Sequence, residues 1–168
     1  MKQAEIRGDS SKIYSKYDKK VLTDIFQPKA ASLAREMYGE VKENNELIYA
    51  SDLVNSYAWD TAIIFIQTYS TETDASNYAY KNKSASFANT GINNDKYCNI
   101  WDMSGNVYEW TTEYSTRSSS SYFSPCVNRG GFYGTYGGRP NGHTSYRYDS
   151  ITNLSRSPDG LRPLLYVK

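Results

Sequence analysis

Apolar positions recur at helical spacing in two stretches and alternate at strand spacing in a third. In residues 21–40 (VLTDIFQPKAASLAREMYGE), Ala31, Leu33, Ala34, Met37 and Tyr38 fall three to four apart, which predicts one apolar helix face. Pro28 suits a first helical turn, and Gly39 suits a C-terminal stop. In SDLVNSYAWDTAIIFIQTYS, Ser56 is placed to cap a helix from Tyr57 to Thr68, with Trp59, Ala62, Ile63 and Ile66 on its apolar face. The unbroken run Ile63–Ile66 predicts a helix buried nearly all round. A short buried strand is the rival reading, because β-branched runs favour strands. The length from the cap favours the helix. Residues 41–50 read as a connection and 70–99 as loop. In IWDMSGNVYEWTTEY, Val107, Glu109 and Thr111 alternate with Tyr108 and Trp110 as in a strand. Ser118–Ser121 reads as a flexible tip, and the closing LLYV as a last strand. Residues 1–20 have no period and read as a polar N-terminal arm ahead of a single domain, 21–168.

Composition narrows the function classes. The chain has 168 residues, enough for one domain with a modest core. Nineteen Lys and Arg against 18 Asp and Glu give a net charge of +1, which argues against nucleic acid as a partner. No run of 18 apolar residues exists, so no helical membrane insertion is expected, and no signal peptide is visible after Met1-Lys2. Two cysteines and one histidine are too few for a disulfide scaffold, a structural zinc site or most His-based metal sites. Seventeen tyrosines change the picture, since the chain is aromatic yet has a mean hydropathy of −0.70. Tyrosine offers a ring to pack and a hydroxyl to hydrogen-bond, which suits both loop-rich cores and adaptable binding surfaces.

Charge type also shifts along the chain. Six of eight arginines follow residue 110, whereas ten of eleven lysines precede it. Arginine presents a planar fork and stacks on rings. The last third is therefore built around arginine contacts, with a structural role favoured for any single one because buried polar groups must be satisfied.

Trp101-Asp102-Met103-Ser104-Gly105-Asn106-Val107-Tyr108-Glu109-Trp110 resembles the DMxGNVWEW signature of the formylglycine-generating-enzyme-like family. Asn128-Arg129-Gly130-Gly131-Phe132 is similar to its RGGSW/Y motif. Tyr146-Arg147, followed by Gly160-Leu161-Arg162, is similar to its closing R…GFR. Three motifs in order cover residues 100–168 well. Trp59-Asp60 matches only in part where the family places LPTEAEWEYA, and the family's usual portion ahead of the first helix is missing or short. The resemblance implies an α+β domain related to the C-type lectin fold, with two helices, short twisted sheets and much loop.

The family's oxidases bind copper through paired cysteines near the closing motif, where soft thiolates suit Cu(I). Counted back from Arg147, those positions fall at about Arg139 and Thr144, so no copper and no oxidase activity are expected. Cys98 and Cys126 lie elsewhere and read as two small, buried or partly buried residues, with a disulfide between them left open. Some relatives bind calcium at the GNVWEW turn. The matching ligands here are the Glu109 carboxylate and backbone oxygens of Ser104, Gly105 and Val107. An ion pair of Glu109 with Arg129 or Arg162 is the alternative. The second calcium site of the family has no clear match in FANTGINNDKY. His143 sits in the Gly/Pro/Asn loop RPNGHTSYRY with no marked triad, so a ligand contact is expected rather than catalysis.

The candidate ligand-binding residues are Phe132, Tyr133, Thr135, Tyr136, His143, Tyr146, Tyr148, Asp149, Asn153 and Arg156. Exposed aromatics and arginine among Gly and Ser are what binding hot spots are made of. Domains of this family also serve as variable proteins of diversity-generating retroelements in phages and bacteria. Adenine-targeted mutation there yields the Tyr, Ser, Gly, Asp, Thr, His, Arg and Phe that dominate residues 132–159. The expectation is a non-catalytic binding protein whose partner is a protein or glycan on a cell or phage-host surface. A phage virion or bacterial surface is its favoured location, and its oligomeric state is not read from the sequence. The alternatives are a copper-dependent formylglycine-generating oxidase acting on sulfatase cysteines and a structural decoration domain without a specific ligand.

Overall fold

The computed structural model describes residues 5–6, 13–70, 86–92, 96–116, 118–119, 122–123, 125–133, 135–136, 139–140 and 144–167. The chain opens with a strand pair, β1 (Glu5–Ile6) with β2 (Ile13–Tyr14). The sequence reading placed these residues in an arm. Ile13 is buried in the main core, however, and the Asp18 N–H donates to the Thr90 carbonyl at 2.8 Å, so the segment joins the domain from Ile13 onward.

Helix α1 spans Gln27–Tyr38, with Pro28 in its first turn. It ends at Gly39, whose φ of +66° with ψ of −154° is a combination open essentially to glycine alone and whose N–H donates to the Arg35 carbonyl at 3.1 Å. Residues 41–50 are not a connection. β3 (Glu40–Glu43) and β4 (Glu46–Leu53) form an antiparallel hairpin through Asn44-Asn45, both at positive φ (52° and 64°), the signature of a type I′ turn. Ser51 on β4 accepts from the Tyr38 N–H and donates to the Arg35 carbonyl, both at 3.1 Å, and so satisfies the last turn of α1.

Helix α2 spans Ser56–Tyr69. Its cap is Asn55 rather than Ser56, the Asn55 side chain accepting from the Ala58 N–H at 2.8 Å. Trp59, Ala62 and Ile66 are buried as the spacing predicted, but the helix is not buried all round. Ile64 and Phe65 are 62% and 43% exposed.

A second two-residue turn, Cys98-Asn99, joins β5 (Lys96–Tyr97) to β6 (Ile100–Trp101), again with both residues at positive φ. Then follow β7 (Tyr108–Tyr114), the pair β8 (Ser118–Ser119) and β9 (Tyr122–Phe123), and β10 (Cys126–Arg129). After them come the pair β11 (Thr135–Tyr136) and β12 (Arg139–Pro140), β13 (Arg147–Ser150), β14 (Asp159–Leu161) and β15 (Pro163–Val167). The predicted strand in residues 100–114 is β7, and LLYV is β15. Of the predicted flexible tip, Ser118 and Ser119 pair in β8, and Ser120 and Ser121 lie outside the described residues; of the predicted 70–99 loop, residues 71–85 and 93–95 lie outside them, and Lys96–Tyr97 form a strand instead.

Two sheets organise the domain. One has the order β15-β4-β3 and is antiparallel. The other has the order β13-β10-β7-β14, with β14 parallel to β7. Alternation along its strands sends Trp110, Cys126 and Leu161 to one face, into a core with Ala30, Leu33 and Ala34 of α1. The buried Trp110 indole donates to the Ile25 carbonyl at 2.7 Å. The opposite face carries Glu109, Thr111 and Arg129 and is covered by α2, whose Trp59, Ala62 and Ile66 pack with Val54, Tyr97 and Met103.

Candidate functional site

The first motif forms a turn that ties three segments together. Asp102, Gly105 and Asn106 all lie at positive φ (54°, 73° and 66°). The Asp102 carboxylate accepts from the Gly91 N–H at 2.6 Å, and Asn106 both accepts from the Ala88 N–H and donates to its carbonyl. The Asn106 carbonyl accepts from the Tyr133 N–H at 3.1 Å, and the Gly130 carbonyl accepts from the Gly105 N–H at 2.7 Å. Asn106 thereby fixes Tyr133 and the neighbour of Phe87 in one place.

Behind this turn, Arg162 and Glu109 form a fully buried, two-pronged pair, with contacts of 2.7 Å and 2.6 Å; Arg162 also donates to the Asp102 carbonyl at 2.8 Å. This is the ion-pair alternative for Glu109. Both carboxylate oxygens face a guanidinium, so a calcium ion held by Glu109 with Ser104, Gly105 and Val107 would sit against the Arg162 charge. The donor set does not fit that ion. Among the described residues, no group of three or more His, Cys, Asp or Glu is placed to hold a metal.

A second polar cluster links the sheet to α2. Arg129 pairs with Asp60, which gives Trp59-Asp60 its role, and reaches Glu113 at 3.4 Å. Glu113 also pairs with Arg147 and accepts from the Ser56 hydroxyl. The guanidinium carbons of Arg129 and Arg162 lie 5.8 Å and 5.7 Å from the Trp59 ring centre. Gly130 explains the paired glycines of the second motif. Its φ is +83°, and a Cβ there would stand 2.9 Å from the Trp59 ring. Arg147, one of the arginines for which a structural role was favoured, has a side chain 56% exposed on the edge strand β13, where it pairs with Glu113.

On the sheet face opposite Arg129, at the start of β7, lies an aromatic platform. The buried Tyr108 ring stands 4.9 Å from Phe132, 5.6 Å from Tyr146 and 5.7 Å from Tyr148, the last two nearly parallel to it. Phe132 meets Tyr133 edge-on at 5.5 Å, and Tyr133 meets Phe87 at 4.5 Å. The Arg156 guanidinium lies over Tyr148 at 4.7 Å and is held by two hydrogen bonds, 3.1 Å and 3.2 Å, to the buried Asp159. Asn128 donates to the same carboxylate at 3.1 Å.

Burial, and then the Tyr146 hydroxyl beside it, push the Tyr108 phenol far above its usual range. Burial raises the Asp159 carboxyl, against the opposing pull of Arg156. Burial works to lower the Arg156 guanidinium, but Asp159 outweighs it and holds the cation charged.

Five predicted site residues therefore meet: Phe132, Tyr133, Tyr146, Tyr148 and Arg156. All five are half-buried rather than fully outward. Asp149 does not join them. Strand alternation turns it to the other side of β13, where it lines an open cleft of about 220 Å³ with Glu113, Tyr114, Val127 and Arg147. Asn153 is exposed in the turn after β13. Thr135 and Tyr136 form β11, and His143 lies outside the described residues. Sequence reasoning missed Tyr108, Phe87, Asn128 and Asp159. The signal for Tyr108 was present, since it shares the inward alternation of Trp110. Asp159 carried no local signal.

Cys98 and Cys126 are free thiols. Cys126 is buried in the α1 core, and burial raises its thiol, which disfavours the thiolate. Of the two residues that the resemblance puts at about the oxidase cysteine positions, Arg139 lies in β12 and Thr144 is buried.

Comparison with known proteins agrees with this architecture. A family model described as "Sulfatase-modifying factor enzyme 1-like domain" matches residues 7–159, so the first half, loosely matched by motif alone, lies within it. The solved structure "Treponema denticola variable protein 1" superposes with a TM-score of 0.61 at 12% identity, over 88% of this chain and 71% of that one, a likeness of fold. No match is found among curated proteins. With two helices and short sheets among the described residues and a motif turn welded by Arg162 and Glu109, the chain belongs to the sulfatase-modifying factor enzyme 1-like, that is formylglycine-generating-enzyme-like, family on a C-type-lectin-like frame.

Proposed function

We propose that this protein is a non-catalytic ligand-binding domain of the diversity-generating-retroelement variable-protein type. The observation that carries the reading is the platform of Phe132, Tyr133, Tyr146, Tyr148 and Arg156, seated on the fixed Tyr108 and Asp159. Half-buried rings on an ordered floor offer apolar area at little cost in lost side-chain freedom, which favours binding. The platform lies within residues 132–159, where the composition fits adenine-targeted diversification. The likeness in fold to a variable protein supports the same reading. The partner is a protein or glycan on a cell or phage-host surface.

A copper oxidase is disfavoured by chemistry. Arg139 and Thr144 supply no thiolates, and burial pushes the Cys126 thiol up, away from the thiolate. The test is a sulfatase-derived cysteine peptide incubated with the protein and copper under air. The peptide thiol should persist, and its turnover to an aldehyde would overturn the reading. The diversification component is tested in the surrounding DNA. A near-copy of the 132–159 coding stretch differing only at adenines, beside a reverse transcriptase gene, is expected; a locus with neither would remove it.

A further inference from the structure

We propose that the outward face of α2 is a self-association surface that takes α2 of a second copy of this chain. Tyr57, Thr61, Ile64 and Thr68 follow one another at spacings of four, three and four, the seam along which two helices pack side by side. All four are exposed, with Tyr57 at 87% and Ile64 at 62%, and Phe65 and Tyr69 extend the stripe, their rings 4.9 Å apart. The Thr68 hydroxyl donates to the Ile64 carbonyl at 2.8 Å and so already has a partner within the helix.

Charge selects the occupant. A helix that faces water carries charges on that side, as α1 does with Lys29, Arg35 and Glu36. In α2 the only charged residue is Asp60, which is 55% exposed at the edge of the stripe, its charge offset by the buried Arg129. An uncharged stripe does not select a charged partner, and it meets its own copy across a two-fold axis without like-charge repulsion. The area suffices. With 87%, 43% and 69% of Tyr57, Phe65 and Tyr69 and 62% of Ile64 still exposed, at roughly 200 Å² per ring they hold about 500 Å² per copy, so a pair that covers all of it removes about 1,000 Å², the lower bound for a specific interface. The aromatic platform lies on the far side of the sheet from α2, so both platforms of the dimer stay uncovered and can bind together.

The experiment is sedimentation velocity on the full chain over a concentration series, with Ile64→Glu, Ile64→Lys and an equal mixture of the two variants. The expected result is a reversible dimer for the unaltered chain. Each variant alone should associate about a hundredfold more weakly, because like charges then meet across the axis. The mixture should regain the dimer, and each variant's thermal midpoint should fall by no more than the few degrees that loss of association removes. A chain that is monomeric at every concentration overturns the proposal, and so does a dimer that Ile64→Glu leaves intact. Two further results count against it. A monomer that pellets with neutral phosphatidylcholine vesicles would assign the face to lipid. A variant monomer with a sharply lower midpoint would show the face covered by its own chain. None of these outcomes bears on the ligand-binding reading, which stands or falls on the opposite face.

Discussion

At Glu109 the decisive quantity is desolvation. Its carboxylate and the Arg162 guanidinium are almost wholly removed from water, so each depends on the other for its charge. Removing one member of such a pair costs about 3–5 kcal/mol. Glu109→Gln should therefore lower the urea-unfolding free energy by that amount, and addition or chelation of calcium should leave the thermal midpoint of the unaltered protein where it was. Tyr108 supplies a second residue-level outcome. Its phenol is raised by burial, so the folded chain keeps a proton that the unfolded chain releases once pH passes the ordinary phenol value of about 10. Stability then falls as pH rises beyond that point. Thermal melts across the alkaline range should show a steeper decline for the unaltered protein than for Tyr108→Phe, and parallel declines would contradict the assignment.

Elements were legible where one local signal decided them. The spacing of Ala31, Leu33 and Ala34, with Gly39 behind them, marked α1. The alternation around Trp110 marked β7. The β3–β4 hairpin leaves no mark in the apolar pattern; its one signal is Asn44-Asn45, since asparagine tolerates the positive φ that a two-residue turn needs. The exposure of Ile64 was missed for a different reason. A row of apolar residues states that a helix is apolar, not which neighbours exist to cover it. At the start of α2, Asn55→Ala should cost about 1 kcal/mol, read as a shift in denaturation midpoint, because the Ala58 N–H loses its acceptor. Gly130→Ala should cost more, since it combines a left-handed backbone with a 2.9 Å approach to Trp59.

Taken whole, the molecule separates a fixed frame from a set of side chains seated upon it. The frame was readable because its motifs are contiguous in sequence. The platform was half-readable. Phe132, Tyr133, Tyr146 and Tyr148 announced themselves by composition, whereas Asp159 reaches Asn128 only through the parallel crossover that brings β14 beside β7. Asp149 was misplaced for want of the strand register, which sends neighbours in β13 to opposite faces. The claim that the frame serves binding is tested most directly by a glycan and cell-surface binding array, probed with the unaltered protein and with a Tyr133→Ala, Tyr136→Ala, Tyr148→Ala variant, each accompanied by a thermal melt. The account predicts a specific signal that the triple variant loses while its midpoint falls by only a few degrees. Collapse of the fold in the variant, or binding that survives the loss of all three rings, would contradict it.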